Sequence, residues 1–526
     1  MLILGIGGWL HDGAAALVVD GEYVAAIEEE KLLRQRHPGG FPDRAVTTCL
    51  KIAGARQKDV DIVALSKPLE AGKEASALLH LRTLFPNSRM VVVDHHIAHA
   101  AAAFFPSPYE NSRVLTLDHY GDVGCGAIWQ GAGNQLQPMD TIYYPDSPAA
   151  LYSRVTELLG FRPDSEEHKV QWLSVTGEPR FKEMFLAILG MDRNPLPKLD
   201  HSYLDRGRTT HGGFSERFYR ELDIKFDEPL GDSVKADMAA SIQTAVAETV
   251  LRIAGEGQNI CLGGGLAYNA LLIQSIEDSG HFENVWVQPV AGNAGTSLGS
   301  ALFALHQIQA GAQRHLLRDL FLGEEYGSHE IKRVLENCKL RFGYHRTENE
   351  MVKAAVQRLT DNKIVAWFQG RSEFGPRALG NRSILASPLN PYATENLNEY
   401  IKHREPFRKF AASVPEELAS EYFEVSDNAR FLATVSRVKA DHRETFGRAL
   451  LDGDRIRVHV VCREENQRYW ELLQAVGSAS GLPVVYNTSF NLFGEPLVSD
   501  PRSAVRSFYS SGIDTLFIGD FLVEKG

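Results

Sequence analysis

The chain has few cysteines and no long apolar run, and both shortages restrict the classes of protein to which it can belong. Five cysteines are scattered over 526 residues without a CxxC pair, which argues against a cysteine-zinc site or a disulfide framework and favours a reducing cytoplasm. The apolar opening MLILGIGGWL lacks a basic flank and is interrupted by His11-Asp12-Gly13, so it predicts a buried first strand rather than a signal peptide. Because no segment is long enough to span a bilayer, we expect a cytoplasmic protein without a membrane partner.

An excess of positive charge is also missing. The formal net charge of −12 argues against bulk binding to nucleic acid or to an anionic membrane. Basic residues are nevertheless concentrated beside glycine-rich turns in two stretches, EFGPRALGNRSI and IKHREPFRKF. Such a concentration is typical of an anion site, but it also occurs on solvated basic faces, and density alone does not separate the two.

Mixed strand and helix patterns predict an α/β protein with two domains. The first third contains short apolar strands, with a hairpin turn predicted at Asp20-Gly21. We place a first domain at 1–325, a polar connector at 326–344 and a second α/β domain at 345–526.

Two histidines lie one turn apart on a predicted alanine-rich helix. Asp94 is a favourable N-cap, and His95 and His99 are at positions i and i+4, where two imidazoles can reach one metal ion. His96 points about 100° away and is expected to be a neighbour. With 18 histidines in the chain, roughly 0.6 such pairs are expected by chance, so the spacing alone leaves the question open. Asp118, at the end of the strand VLTLD, is a plausible third ligand or a simple turn former.

Two other polar or glycine-rich stretches follow predicted strands. Gly263, Gly264 and Gly265 form a turn that lets a ligand approach the backbone closely, although such turns are common between strands and helices. The segment Asn487-Thr488-Ser489 with Asn491 follows PVVY and offers small polar donors, or forms an ordinary strand exit.

Taken together, the motifs resemble one enzyme family over nearly the whole chain. HDGAAALVVDG, DHHIAHA, LDHYGD, ICLGGGLAYN, WFQGRSEFGPRALGNRSIL, REPFRKFA and YNTSFNLFGEP are similar to the O-carbamoyltransferases of antibiotic and nodulation-factor biosynthesis, such as those for tobramycin, cephamycin, novobiocin and ansamycins. The resemblance implies an N-terminal actin/Hsp70-like (Kae1-like) domain and a C-terminal YrdC-like twisted open α/β sheet.

The resemblance also implies a reaction in two parts. The C-terminal domain would make carbamoyl adenylate from carbamoyl phosphate and ATP with Mg(II). The N-terminal domain would transfer the carbamoyl group to a hydroxyl of a small-molecule acceptor and release AMP, helped by a divalent metal, expected to be Fe(II). A homodimer is a family-level expectation.

Carried over residue by residue, the resemblance implies a set of site residues. His11 would be catalytic, and the metal ligands would be His95, His99, Asp118 and the residue at position 293, which is Asn293 here. The three glycines 263–265 would lie against a nucleotide in the first domain. The carbamoyl phosphate and ATP site would contain Arg377, Lys402, Arg408, Arg457, Ser489 and Asn491, with Arg382, Ser383, Arg404, Asn487 and Thr488 in the same motifs.

The chain departs from the family pattern at three places. Asn293 stands where a further metal-binding Asp is usual, and a neutral amide oxygen should bind a hard cation more weakly. Arg36-His37 replaces a Lys-His pair, and HKVQWLSVTGEP lacks the methionine and tyrosine often found after its lysine. These differences concern the acceptor pocket more than the chemistry.

Other functions compete with this interpretation. A small-molecule kinase of the actin/Hsp70 fold would yield ADP and would not need the basic second domain. A relative that carbamoylates RNA or matures hydrogenase conflicts with the negative net charge and with the absence of cysteine pairs. A non-catalytic actin-like binding protein would not turn over carbamoyl phosphate.

Overall fold

A computed structural model describes residues 1–68, 74–205, 207, 208, 210–226 and 228–525. It is an α/β structure, as predicted, and its strands form three mixed sheets. Within the described residues, no helix combines the length and the apolar character needed to cross a membrane. All five cysteines are free thiols, four of them buried.

The first sheet contains the strands β1 (Leu2–Gly7), β2 (Ala14–Val19), β3 (Glu22–Glu28), β4 (Ile62–Ser66) and β5 (Arg89–Val93). Its order is β3-β2-β1-β4-β5, with β1 to β3 antiparallel and β1, β4 and β5 parallel. The predicted hairpin is confirmed, since Asp20 and Gly21 both have positive φ in the tight turn between β2 and β3. The accompanying helices are α1 (Glu29–Leu33), α2 (Asp43–Ile52), α3 (Glu74–Leu84) and α4 (His95–Phe104).

The second sheet repeats the topology of the first. Its strands are β6 (Asn111–Leu117), β7 (Gly124–Ala132), β8 (Gln135–Tyr143), β9 (Gly257–Gly263) and β10 (Phe282–Val287), in the order β10-β9-β6-β7-β8. Three antiparallel strands followed by two parallel ones thus occur twice, which is the duplicated arrangement of the actin/Hsp70 fold. The helices here are α5 (Pro148–Leu158), α6 (Glu167–Leu173), α7 (Lys182–Leu189), α8 (Glu216–Glu221), α9 (Asp232–Ala254), α10 (Ala270–Asp278) and α11 (Gly295–Ile308).

Helix α4 is alanine-rich because it packs very closely against α11. A Cβ atom at Gly299 of α11 would lie 1.9 Å from the carbonyl oxygen of Ala98 in α4, so the two backbones nearly touch. Ala100, Ala101 and Ala103 are fully buried in the same core. This close contact fixes the position of the histidines that α4 carries.

The C-terminal half forms one open, mixed sheet of ten strands in the order β11-β20-β19-β12-β13-β18-β14-β17-β16-β15. The strands are β11 (Gly343–Tyr344), β12 (Val365–Phe368), β13 (Arg382–Ala386), β14 (Ala411–Pro415), β15 (Phe423–Glu424), β16 (Ser436–Val438), β17 (Arg455–Val461), β18 (Val485–Ser489), β19 (Thr515–Ile518) and β20 (Phe521–Glu524). The helices are α12 (Ser328–Asn337), α13 (Glu348–Thr360), α14 (Ala393–Glu395), α15 (Glu416–Tyr422), α16 (Arg443–Phe446), α17 (Gln467–Ser480) and α18 (Pro501–Tyr509).

The stretch 326–344, expected to be a polar connector, is more ordered than its sequence pattern indicates. It contains α12, whose Ile331 and Leu335 are buried in the C-terminal core, and β11, which joins the C-terminal sheet. Two apolar residues four positions apart are enough to hold a short helix against a sheet, and the polar residues between them hide this signal.

Candidate functional site

Helix α4 and the end of β6 bring two histidines and one aspartate together. His95 Nε2 and His99 Nε2 are 3.1 Å apart, and Asp118 Oδ2 lies 3.3 Å from the first and 3.0 Å from the second. Ligand atoms about 2.1 Å from one cation are about 3 Å from each other, so this spacing suits a first-row divalent metal. These three predicted ligands thus form a compact group.

The surroundings of the three side chains also favour ligation. His95 Nδ1 faces the carbonyl oxygen of Lys67 at 3.0 Å, and donation of that proton leaves Nε2 with a free lone pair. Burial alone would raise the pKa of Asp118, but its close contacts with the His95 and His99 rings hold it well below its usual value. His96 is not part of the group, because its Nδ1 lies 3.0 Å from Thr116 Oγ1. Asp94 takes the N-cap position, but its carboxylate pairs with Lys67 instead of capping the helix.

Asn293 lies just before α11 in the wall of the same cavity. Its Nδ2 is 3.1 Å from His11 Nε2 and 3.3 Å from His11 Nδ1. Its Oδ1 is buried, and no donor among the described residues reaches it. A buried amide oxygen without a donor can serve as a metal ligand, so Asn293 fits the role that the family pattern gives to an aspartate.

His11 shares one carboxylate with a second histidine. Asp12 Oδ2 lies 2.9 Å from His11 Nδ1, and Asp12 Oδ1 lies 2.7 Å from His37 Nδ1. The hydrogen bond to Asp12 raises the pKa of each histidine, against the effect of burial. Burial alone would raise the pKa of Asp12, but its bonds to the two rings lower it strongly. His37 Nε2 in turn lies 3.1 Å from Ser165 Oγ.

These groups line one cavity of about 390 Å³. The cavity is bounded by apolar and aromatic side chains together with the polar groups just described. The lining includes Trp9, Leu10, His11, Asp12, His37, His95, Asp118, Tyr120, Tyr152, Ser165, His168, Gly265, Tyr268 and Asn293. A chamber of this size holds a small ligand whose orientation a few polar groups can fix.

The glycine turn after β9 contributes less to this cavity than predicted. Gly265 lines it and lies against Asp118, since a Cβ there would be 3.0 Å from Oδ1. Gly264 has φ +87°, and a Cβ there would be 2.2 Å from the carbonyl oxygen of Leu117. A Cβ at Gly263 would be 3.0 Å from His99 O, which is also a tight contact. Two of the three glycines therefore serve the close packing of β9 against β6 and α4.

A second group of polar residues lies in the C-terminal half and consists mainly of cations, of which Lys402 is buried and Arg404 and Arg408 are half-buried. Lys402 donates to the carbonyl oxygens of Ser489 and Asn491 and to Asn491 Oδ1. Burial and then the charges of Arg404 and Arg408 hold the pKa of Lys402 well below its usual value. Buried cations that repel one another lower the energy of a bound anion, which is the condition for a phosphate site.

Two more arginines connect this group to the N-terminal half. Arg377 Nη2 donates to the carbonyl oxygen of Tyr268 at 3.2 Å, and the Arg457 guanidinium lies 5.7 Å from the ring centre of Trp172. Burial lowers the pKa of Arg377 to about 10. The Nε groups of both arginines are buried, and neither has an acceptor in the described part of the chain. Both side chains therefore retain donors for a ligand.

Strand register separates the remaining predicted residues into two sets. Ser383 of β13 pairs with Ser489 of β18, and Asn487 lies two residues before Ser489 on the same face. Ala411 of β14 pairs with Asn487 on one side and with Arg457 of β17 on the other. One face of the sheet therefore carries Ser383, Ser489, Asn487 and Arg457. Thr488 and Arg382 face the opposite side. Ser383 accepts from Gly380 N, and Asn487 donates to Ala378 O, so both support the loop that carries Arg377.

Arg382, predicted to lie in the anion site, has a structural role instead. It is 0% exposed, and its guanidinium donates to four carbonyl oxygens, those of Gln369, Asn381, Glu324 and Gly370. It also stacks 3.7 Å from the ring centre of Phe368. The carbonyl groups occupy both Nη atoms and leave only the buried Nε without an acceptor among the described residues, so Arg382 ties the segment 369–382 together.

Helix α6 spans the gap between the two groups of polar residues. Lys169 pairs with Glu166 at 2.9 Å and with Glu405, between Arg404 and Arg408, at 2.7 Å. His168, the residue before Lys169, lines the cavity. Burial, and then the charges of Arg408 and Lys169, lower the pKa of His168 to about 3. The buried cations and the cavity are therefore neighbours.

Sequence reasoning missed Asp12, Ser165 and Lys169. Asp12 follows His11 directly, and its φ of +62° is a conformation that aspartate tolerates well, so HDG could have indicated a carboxylate turned back on its neighbour. Ser165 and Lys169 reach their partners only through tertiary packing, and no local pattern predicts that.

Comparison with known proteins finds matches to one family over both halves of the chain. Residues 2–74 and 69–302 match the family described as Carbamoyltransferase N-terminus, and residues 356–525 match Carbamoyltransferase C-terminus. Among solved structures, HypF of T. kodakarensis shows 18% identity and a TM-score of 0.35 over 59% of this chain and 48% of that one.

Several curated proteins are similar over nearly the full length. An uncharacterized Synechocystis protein is 33% identical over 99% of this chain and 96% of its own. The nodulation protein NolNO of Sinorhizobium fredii is 33% identical over 98% of this chain and 79% of its own. The 3'-hydroxymethylcephem-O-carbamoyltransferase of Amycolatopsis lactamdurans is 26% identical over 98% of each chain. The chain belongs to the carbamoyltransferase family.

Proposed function

We propose that the protein is an ATP-dependent O-carbamoyltransferase that forms carbamoyl adenylate in its C-terminal domain and transfers the carbamoyl group in its N-terminal cavity. The observation that carries this proposal is the adjacency of two unlike sites. On the C-terminal side, Arg377 and Arg457 keep Nε donors without an acceptor among the described residues, and Glu405 beside Arg404 pairs with Lys169 of α6. His168 of the same helix lines the cavity, together with His11, His95 and Asp118. A kinase would need only one phosphate site.

The first half-reaction suits the buried cations. Water removes the phosphate of carbamoyl phosphate, which gives carbamate and inorganic phosphate. A carbamate oxygen then attacks the α-phosphorus of ATP, and pyrophosphate leaves. Arg377, Lys402, Arg408 and Arg457, with Arg404, would hold the phosphates of both co-substrates, and Ser489 and Asn491 would lie at the same end of β18.

The second half-reaction suits the cavity. An acceptor hydroxyl oxygen attacks the carbamoyl carbon, the bond from that carbon to the AMP phosphate oxygen breaks, and His11 takes the hydroxyl proton. Carbamoyl adenylate hydrolyses readily, so two adjoining sites limit its loss to water. His95, His99, Asp118 and Asn293 would hold a divalent metal, expected to be Fe(II), which when bound supplies Lewis-acid polarisation.

The acceptor is proposed to be a small molecule with a free hydroxyl. The relatives named above include a hydroxymethylcephem carbamoyltransferase and a nodulation protein, and the cavity of about 390 Å³ is of small-molecule size. A cytoplasmic location, Mg(II) bound with ATP, a homodimer and the lack of nucleic-acid or membrane partners belong to the same proposal.

The nucleotide products test this function. Purified protein with ATP, Mg(II), carbamoyl phosphate and candidate acceptors is analysed by ³¹P NMR and mass spectrometry. The proposal predicts AMP, pyrophosphate and inorganic phosphate, together with a carbamoylated acceptor. ADP and a phosphorylated acceptor would instead identify a kinase.

The metal site is tested by titration calorimetry with Mn²⁺. His99→Ala is expected to weaken binding by roughly 100-fold, because it removes one imidazole ligand. Asn293→Asp is expected to strengthen binding by roughly tenfold, because a carboxylate adds a negative charge. His96→Gln is the matched control on the same helix and should bind Mn²⁺ as the wild type does. Equal affinity in His99→Ala and the wild type would exclude the site.

A further inference from the structure

We propose that Asp12 is the positioning residue of the transfer site and that it orients two histidines at once. In both His11 and His37, Nδ1 then carries the proton and Nε2 is the nitrogen that can accept a hydrogen bond. This assignment rests on the proposed function for its catalytic meaning, but its geometry stands by itself. It adds His37 and Ser165 to the groups that organise the cavity.

The two contacts of Asp12 determine the direction of each hydrogen bond. A carboxylate accepts on both oxygens, and each oxygen here faces one Nδ1, at 2.9 Å for His11 and 2.7 Å for His37. Both Nδ1 atoms must therefore carry protons, whether the rings are neutral or charged. In the neutral rings Nε2 has the lone pair.

The backbone supports the same arrangement. Asp12 has φ +62° and His37 has φ +53°, so both residues are held in the left-handed region. Aspartate and histidine are both among the non-glycine residues that adopt this conformation more often than others. The two positive φ values belong to the turns from which the side chains of Asp12 and His37 meet at 2.7 Å.

The outer ends of the two histidines have defined partners. Ser165 Oγ lies 3.1 Å from His37 Nε2, and the hydroxyl can donate to that lone pair. Asn293 Nδ2 lies 3.1 Å from His11 Nε2 and 3.3 Å from His11 Nδ1, and with Nδ1 protonated the amide donates to Nε2, the nearer nitrogen. This orientation of the amide turns Oδ1 away from His11, which explains why that buried oxygen has no donor in the described structure. Five side chains are thus connected by hydrogen bonds through the carboxylate of Asp12, in the order Ser165, His37, Asp12, His11 and Asn293.

A cation held by Asp12, Glu30 and His37 is a different interpretation of the same cluster, since their ligand atoms lie within 4.8 Å of one another. Both Asp12 oxygens are already used by histidines, and Glu30 is directed elsewhere. Its carboxylate is 3.6 Å from Arg36 Nη1 and 3.5 Å from His37 N. The hydrogen-bonded chain accounts for the close contacts of Asp12 with both histidines without a cation.

The consequence for catalysis concerns which nitrogen of His11 can take the proton from the hydroxyl of the carbamoyl acceptor. If His11 carried its proton on Nε2, it could not accept the hydroxyl proton at that atom. Asp12 prevents this tautomer, and on entering the cavity the acceptor hydroxyl would exchange with the Asn293 amide at His11 Nε2. Asp12 itself does not contact the reacting atoms.

The tautomers can be measured directly on the whole protein. Long-range ¹H–¹⁵N spectra of protein labelled with ¹⁵N-histidine, recorded at a pH where the rings are neutral, distinguish the two forms. His11→Gln and His37→Gln assign the signals. The proposal predicts that His11 and His37 both carry the proton on Nδ1. An Nε2–H form of His11 in the wild type would overturn the proposal, whatever the activity of the protein.

Asp12→Asn is the decisive variant, because asparagine also tolerates positive φ and has the same shape. Its amide can accept from only one histidine, so at least one of the two signals should move to the other tautomer. Acceptor carbamoylation should fall by about 10²-fold, while pyrophosphate formation from ATP and carbamoyl phosphate stays at the wild-type rate. Unchanged tautomers together with unchanged transfer would refute the role of Asp12.

Ser165→Ala serves as the control at the far end of the chain. It removes the contact to His37 Nε2 but leaves both bonds to Asp12, so the tautomers of His11 and His37 should stay as in the wild type. A change of the His11 tautomer in this variant would contradict control by Asp12. If the wild type transfers no carbamoyl group, the proposed function is wrong, while the tautomers predicted for His11 and His37 are still tested by the spectra.

Discussion

Replacing Arg377 with methionine is expected to lower carbamoyl-phosphate-dependent pyrophosphate formation by about 10³-fold while leaving the fold intact. Arg377 is half-buried, donates one hydrogen bond to Tyr268 O within the described chain, and keeps a buried Nε without an acceptor there. Its burial lowers its pKa to about 10, so the folded protein gains little from this charge. Methionine fills similar volume without the charge, and the free energy of unfolding should stay within about 1 kcal/mol of the wild type. Pyrophosphate release and urea unfolding measure the two effects.

The matched control is Arg382→Met, five positions along the same motif. Arg382 donates to four backbone carbonyl groups, and removing the guanidinium leaves those buried acceptors unsatisfied. We expect the free energy of unfolding to fall by about 3 kcal/mol. Normal pyrophosphate release by Arg377→Met would remove Arg377 from the site, and an unchanged stability of Arg382→Met would contradict its structural role.

Replacing His11 with alanine is expected to reduce acceptor carbamoylation by about 10³-fold. His11 lies in the cavity wall with Asp12 on one side and Asn293 on the other, and it is remote in sequence from the cation group. Adenylation should therefore continue, and AMP should appear only through slow hydrolysis of the intermediate. The measurement compares pyrophosphate release with carbamoylated acceptor in the same reaction.

His281→Ala provides the control for this variant. His281 lies between α10 and β10, and its Nδ1 is 3.2 Å from the carbonyl oxygen of Gly255, away from the cavity lining. Both half-reactions should match the wild type. Retained transfer by His11→Ala, with a normal His281→Ala, would show that another group takes the acceptor proton.

Local patterns predicted the parts of the fold that depend on neighbouring residues. The i, i+4 spacing of His95 and His99 corresponds directly to the observed 3.1 Å between their Nε2 atoms, because a regular helix fixes that relation. The hairpin at Asp20-Gly21 could be predicted for the same reason, because a tight turn depends only on the residues within it. The position of Asp118 beside them depended on the path of β6, which the strand pattern indicated without giving its distance.

Motif membership could not separate residues that contact a ligand from residues that support the fold. Arg377 and Arg382 are charged neighbours in one short motif, but strand alternation and the loop after Gly375 direct them differently. The same limit applies to Gly263 and Gly264, whose missing side chains make room for β6 and α4. These distinctions arise from which backbone atoms come within about 3 Å, and sequence alone does not contain that information.

The measurement that tests the central claim most directly is pyrophosphate release without any acceptor. Wild-type protein is given ATP and Mg(II), with or without carbamoyl phosphate, and phosphate products are counted by ³¹P NMR. The account predicts pyrophosphate and inorganic phosphate in equal amounts, only when carbamoyl phosphate is present, and loss of both in Arg377→Met. Folded, ATP-binding protein that forms no pyrophosphate under these conditions, or that forms ADP instead, would contradict it.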